Sequence, residues 1–343
     1  MRAAAWTLLL LAAALPARAI TQNTGTTAAE FLRLGAGARS LGMGDASAAV
    51  AEGPEAIYWN PAGLGQMSRP EVQYARSELA AGLHHDFLAV GIPSHLLAGT
   101  LALGVTRLSQ ESLTLVNASN QNQGSFSPHS EAYALAYGHQ FSDNDPAVSS
   151  RDYFRENWNL PRVDRPYQDE RDPWTGEIAV GGSAKFVSES LGTRRASAFA
   201  VDGGFLYRPS TIREFSLAGA VRNLGSKMRF ISESSPLPAE LALGAAYDLR
   251  VETWRLLPAL EVDVPYAGAI YGKAGFEASV PVASGMSAAA RLGYTSRTAA
   301  DLGPLSGLTA GVGLRAGGFS FDAAFQPMGV LGSGLRVGAG WKF

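Results

Sequence analysis

The sequence predicts an all-β membrane protein: a 14-stranded antiparallel transmembrane β-barrel with a short helical N-terminal plug. Three observations predict it. From Glu71 to Phe343 the chain divides into segments of about ten residues in which apolar and small or polar residues alternate with period two. The large Leu, Val and aromatic residues keep to one phase, while Gly, Ala, Ser and most charges keep to the other, which suits lipid outside and a polar lumen inside. Although 46% of the 343 residues are hydrophobic and only 17% are charged, no run beyond the extreme N-terminus approaches the ~20 apolar residues of a membrane helix. A soluble sandwich also alternates, but it has no use for a polar phase of mostly tiny residues or for aromatics at segment ends.

The elements follow in chain order. Arg2, the apolar stretch Ala3 to Leu15 and the small-x-small site Ala17-Arg18-Ala19 read as a signal peptide, residues 1–19, cleaved after Ala19. Residues 20–70 do not alternate. Helix-like pieces, Ala28 to Leu34 and Pro54 to Trp59, stand between glycines, and Asn60-Pro61-Ala62-Gly63 reads as a turn. Fourteen strands enclose more room than wall side chains fill, so this compact stretch is expected to act as a plug. Residues 71–343 form the barrel, with strands expected near 71–78, 84–93, 97–108, 129–141, 177–188, 196–208, 213–223, 238–249, 253–264, 269–280, 285–296, 307–316, 318–326 and 333–343. The count is even, as in bacterial single-chain barrels.

Strand ends predict orientation. Connections near Ser94, Ser210, Glu252, Ala283 and Gly317 are very short, and those at 109–128, 188–195, 224–237, 297–306 and 327–332 are longer. Short turns face the periplasm, so both barrel ends lie there. The same parity places residues 142–176, rich in Asp, Arg, Pro and aromatics, as a periplasmic insertion, either a solvated loop or a docking segment.

Composition removes other functions. A formal charge of −2 argues against a nucleic-acid binder, and the absence of cysteine removes disulfides and thiolate metal sites. The five histidines show no HExxH spacing, and neither a GxSxG elbow nor a phosphate-binding glycine loop occurs. The adjacent His84 and His85 read as an interfacial pair. No catalytic residue, metal site or cofactor is expected, and the chain reads as a non-enzyme. In the lumen phase, Arg222, Glu261, Asp263, Lys273, Glu277, Arg291 and Arg315 are expected to line the interior or to pair with the plug.

Three stretches carry a family resemblance: FLRLGAGARSLGMGDASAAVAEGPEAIYWNPAGLG near the start, VRNLGSKMRF followed by PLPAELALGAAYDL in the middle, and GGFSFDAAFQPMGVLGSGLRVGAGWKF at the end. They resemble the PorV/PorQ family of FadL-like outer-membrane barrels. The resemblance implies a bacterial outer-membrane location and a plug motif at Gly35, Gly37, Arg39, Gly42, Gly44, Asn60, Pro61, Ala62 and Gly63. It also implies an adaptor or shuttle role in type IX protein secretion and surface attachment, with translocon or attachment proteins and cargo C-terminal domains as partners beside outer-membrane lipid. Trp341 and Phe343 would then be the signal read by the barrel assembly machinery. The alternative is a FadL-like passive transporter of hydrophobic small molecules, which calls for an apolar pocket and a strand kink giving lateral access. A purely structural barrel is a third possibility.

Overall fold

The computed structural model describes residues 26–141 and 176–343, apart from His95, Thr193 and Ile231. The expected signal peptide, and the 142–176 insertion up to residue 175, lie outside the described residues; Gly176 opens a strand.

The described residues form fourteen wall strands: β1 (Glu71–Glu78), β2 (Leu83–Ser94), β3 (Gly99–Gln110), β4 (His129–Phe141), β5 (Gly176–Leu191), β6 (Arg194–Pro209), β7 (Phe215–Gly225), β8 (Glu240–Tyr247), β9 (Trp254–Pro265), β10 (Tyr271–Ala283), β11 (Met286–Thr295), β12 (Leu308–Ala316), β13 (Phe319–Pro327) and β14 (Ser333–Lys342). Each pairs antiparallel with the next, and β14 returns to β1 with Glu71 opposite Lys342 and Glu78 opposite Leu335. Closure leaves no free sheet edge, which is the condition for strands to cross a hydrocarbon layer. The expected strand bounds differ from these by at most three residues, at Leu191 and Ala283. After Asp248, a short segment Leu249–Val251 continues the line of β8 and pairs with β9.

One end of the barrel carries the tight turns 210–214, 252–253, 284–285 and 317–318; the other carries the longer loops. Those loops hold structure that the alternation did not reveal: a hairpin of Leu113–Val116 with Asn122–Phe126, a second of Met228–Phe230 with Glu233–Ser235, and a helix at Ser296–Leu302. The connection expected to be long at 188–195 is instead two residues, because β5 and β6 pair out to Leu191 and Arg194. Ser188, Glu189 and Ser190 hid the strand end by lacking apolar partners.

Along each strand the phases face opposite ways. On β8, Leu241 and Leu243 are exposed on the outside, while Ala242 and Ala246 are buried on the inside. The inward alanines and glycines are what let a plug fit. It begins at the long-loop end, where the Ala28 N–H donates to the Pro236 carbonyl, and includes a 3₁₀ turn Glu30–Arg33 and a helix Ala38–Gly42. Next come a turn Gly53–Glu55 running into a helix Ala56–Trp59, then a 3₁₀ segment Pro61–Gln66 laid against β4, β5 and β6. The helix at Ala38–Gly42 was not expected from the glycine-rich sequence, and the stretch expected from Ala28 to Leu34 is only one 3₁₀ turn. Ile57, Tyr58, Trp59 and Leu64 share an apolar cluster with the wall's Phe87, Ala89, Ala102 and Ala136, and Phe31 and Leu32 join Val187 and Met228 in a second.

Candidate functional site

The lumen is the candidate site, and the plug's local geometry follows from its sequence. Asn60 ends the helix Ala56–Trp59 and starts the next segment, with Pro61 supplying a preset φ. Its Oδ1 accepts from the Ala62 N–H at 3.1 Å. Its Nδ2 donates to the Ala48 carbonyl inside the plug at 2.9 Å and to the Phe205 carbonyl on β6 at 3.1 Å. One fully buried amide thus closes a turn, braces the plug and ties it to the wall. Gly44, at φ 65°, lies so close to the wall that a Cβ there would sit 2.5 Å from the Tyr294 nitrogen and 2.9 Å from the Ala274 carbonyl oxygen. Its N–H donates to Thr309 Oγ1 at 3.0 Å.

Of the other plug-motif residues, Gly35 and Gly37 turn with positive φ beside Asp45 and Glu55, Gly42 abuts Gly311, and Gly63 abuts the Ala51 carbonyl. Pro61 and Ala62 lie along Gly181 of β5. Arg39 makes a two-pronged contact with Glu277 of β10, Nε to Oε2 at 2.8 Å and Nη2 to Oε1 at 3.1 Å, and its Nη1 reaches Glu52 at 3.1 Å.

The structure gathers the seven lumen charges into two clusters and one latch. In the first cluster Arg222 donates to Glu261 at 3.0 Å, to Asp263 at 3.3 Å and to Glu240 at 3.0 Å, while Lys273 lies 2.9 Å from both Glu261 and Asp263. Arg222 also donates to the Trp59 carbonyl at 2.7 Å, and the Trp59 ring lies beneath Arg222 and Lys273 at 5.1 and 5.2 Å. In the second cluster Glu277 is shared between Arg39 and Arg291, and Arg291 continues to Asp322 at 2.7 Å. The latch is Glu52, held by Arg39 and by Arg315 at 3.0 Å. Burial pushes the Glu52 carboxyl up, but Arg39, Arg315 and Arg255 more than offset this and leave it at about 2.

Further lumen residues were not singled out from sequence. Arg336 of β14 donates to Ser77 Oγ and to the Leu34 and Gly37 carbonyls of the plug. Glu240 sat at a strand end, where phase gives little signal. Lys185 of β5 pairs with Asp202 of β6 at 2.6 Å, and their lumen phase in the alternation could have found them. His84 and His85 split across the wall instead of forming a pair: His84 faces outward to Glu78, and His85 is buried inside. Among the described residues no group of three or more His, Cys, Asp or Glu side chains could hold a metal ion.

A break in the wall adjoins the lumen. Between β6 and β7 the register slips, with Val201 opposite Leu224 but Gly203 opposite Val221, so Asp202 faces both Arg222 and Asn223. Asn223 takes the left-handed φ of 58° and its N–H donates to Asp202 at 2.7 Å. This is a β-bulge, a local bend of the wall. Lys185 joins it to a small void of about 10 Å³ lined by Leu32, Ile57, Tyr58, Phe87 and Ala132. An apolar cavity of ligand size, as expected for a hydrophobic-molecule channel, is not found among the described cavities. The two largest, of about 510 and 280 Å³, lie at the short-turn mouth and share Arg39, Glu52, Gln66 and Arg208. The described lumen is therefore open at one mouth and packed above it.

No protein-family model matches the chain, and no curated protein does. Solved structures do. The Pseudomonas putida toluene transporter TodX superposes with a TM-score of 0.53 at 11% identity, covering 90% of this chain and 98% of that one. The Ralstonia pickettii toluene transporter TbuX gives 0.54 at 12% identity over the same shares. At such identities the likeness fixes the fold. It is that of an outer-membrane β-barrel with a plugged lumen.

Proposed function

We propose that this chain resides in the bacterial outer membrane and is a passive channel for small hydrophobic molecules, closed here by its plug. The observation that carries this reading is the correspondence over 90% of the chain with TodX and TbuX, both described as toluene transporters. The bulge at Asp202 supports it, because it bends the wall beside the apolar contact between plug and lumen. No described apolar cavity accommodates such a solute, and the two large cavities are lined by charged and polar residues at one mouth, so passage requires the plug to shift. Toluene uptake should be faster in cells carrying the barrel than in cells with an empty vector, and faster still when the plug contact of Arg39 is removed. Equal uptake in all three would reject the channel.

The filled lumen favours a second reading, the adaptor role in type IX secretion and attachment. A barrel that passes nothing acts through its surfaces, and the long-loop end presents the hairpin 113–126 for that purpose. Purification of the intact barrel from native membranes should then recover secretion components, or cargo C-terminal domains. Recovery of the barrel alone would count against it.

A further inference from the structure

The outward face is not uniformly apolar. On β1 the outward residues from the short-turn end are Val72 and Tyr74, then Arg76 and Glu78. The neighbouring strand β14 sets Trp341, Ala339, Val337 and Leu335 in register with these four. Polarity therefore changes abruptly at the β14–β1 seam.

From Arg76 a row of charge runs across the pairing direction. Asp86 of β2 lies opposite Arg76, Arg107 of β3 opposite Asp86, and Glu131 of β4 opposite Arg107. Arg76 reaches Asp86 at 3.3 Å and Arg107 reaches Glu131 at 3.5 Å. Tyr74 and Tyr133 turn their hydroxyls toward this row, donating to Asp86 at 2.6 Å and to Glu131 at 2.8 Å.

Two residues of a tilted strand climb roughly 5 Å along the barrel axis. The apolar wall beneath the row is then roughly 10 Å high on β1, from Val72 to Arg76, and roughly 20 Å on β2 and β3, where Asp86 and Arg107 lie eight residues from Ser94 and Gly99, whereas from Trp254 to Val264 on β9 it is roughly 25 Å, the usual span of such a belt. Ionised groups cannot rest among acyl chains at this depth without several kcal/mol of cost per charge. Polar material must come to them.

We propose that β1 to β3 form a lipid-headgroup site, at which the bilayer on the long-loop side is locally thinned and a headgroup phosphate is engaged by Arg76 and Arg107. Among the described residues Arg107 has one carboxylate contact, and half of its side chain is exposed; guanidinium groups suit phosphate. A belt too short for its membrane is met by such thinning. The site rests on the membrane reading and not on transport.

The chain has no cysteine, so single labels are clean. Val105→Cys on β3 and Leu292→Cys on β11 each lie six residues from the short-turn end of their strands, which begin there at Gly99 and Met286. Each variant of the full barrel, labelled with a fluorophore, goes into phosphatidylcholine vesicles brominated either near the headgroup or near the chain end. The ratio of shallow to deep quenching should be about twofold or more higher at residue 105 than at residue 292. Replacing Arg76, Asp86, Arg107 and Glu131 together by leucine should bring residue 105 to the ratio at 292. Should that variant fail to fold, the two labels on the otherwise unchanged barrel decide alone. Equal ratios there overturn the site, and quenching at neither position overturns the membrane placement itself.

Discussion

Arg39 of the plug and Glu277 of β10, 238 positions apart in the chain, face each other through two hydrogen bonds in the packed lumen. Glu277 also accepts from Arg291 at 2.6 Å, so one carboxylate holds a plug arginine and a wall arginine together. Removing one partner of a buried pair strands the other charge, at about 3–5 kcal/mol. Arg39→Ala leaves Glu277 with Arg291 and should fall at the low end; Glu277→Gln takes the shared carboxylate from two buried arginines, leaving Arg39 to Glu52 and Arg291 to Asp322, and should cost more. Protease cleavage within residues 26–66, at constant heat-modifiable barrel, measures plug release, and the order Glu277→Gln above Arg39→Ala is the expected result. Equal cleavage would show that Arg291 does not depend on Glu277.

Asn60→Ala is expected to loosen the plug without touching a charge. It leaves the Ala48 and Phe205 carbonyls and the Ala62 N–H without their side-chain partner in a dry interior. Each buried group left unsatisfied costs about 1–3 kcal/mol. Cleavage in the plug should rise, and Asn60→Asp should not restore protection, because a carboxylate cannot donate to the two carbonyls.

The Glu52 latch gives a pH dependence with a definite sign. Its carboxyl ionises at about 2 in the folded protein, below the ordinary value of about 4.3. A depressed folded value means that the contribution is present above the ordinary carboxylate range and is lost as pH falls toward 2. About half of the side chain is exposed at the open mouth, where solvent screens the pairing with Arg39 and Arg315 and makes the effect modest. Plug protection should fall between about pH 4.5 and 2, and in Glu52→Gln this step should be missing.

How much of this was legible in sequence differs by element. Strand phase was legible because lipid and lumen impose opposite demands on alternate residues, and Leu241 and Ala242 record them directly. For Arg222 and Glu277 the lumen phase was legible but left two roles, lining or pairing with the plug, and the contacts of Arg222 with Trp59 and of Glu277 with Arg39 are of the second kind. The outward row Arg76, Asp86, Arg107 and Glu131 was not, because the assumption that charges turn inward hid it. Alternation says which face a residue shares, not which medium that face meets. The loop hairpins, the helix at Ser296–Leu302 and the register slip at Asp202 were also hidden: loops carry no periodicity, and a bulge is a relation between two strands that neither shows alone.

Gly44 provides the sharpest test that plug and wall are matched in shape. Alanine there must hold φ near 65°, a left-handed conformation costing about 1–2 kcal/mol for a residue with a Cβ. The larger obstacle is backbone. The new Cβ would lie 2.5 Å from the Tyr294 nitrogen and 2.9 Å from the Ala274 oxygen, and neither can swing aside without breaking the pairing of β10 with β11. The wall is closed by fourteen such ladders and will not yield, so the plug must. Gly44→Ala should therefore assemble a heat-modifiable barrel whose residues 26–66 are open to protease, with the Gly44–Thr309 hydrogen bond lost. Gly53→Ala also takes a positive φ, at 66°, but the atoms nearest to its new Cβ belong to the Glu71 side chain, which can move, so it should keep its plug. Equal exposure in the two variants would mean that backbone strain, and not contact with the wall, sets the plug in place.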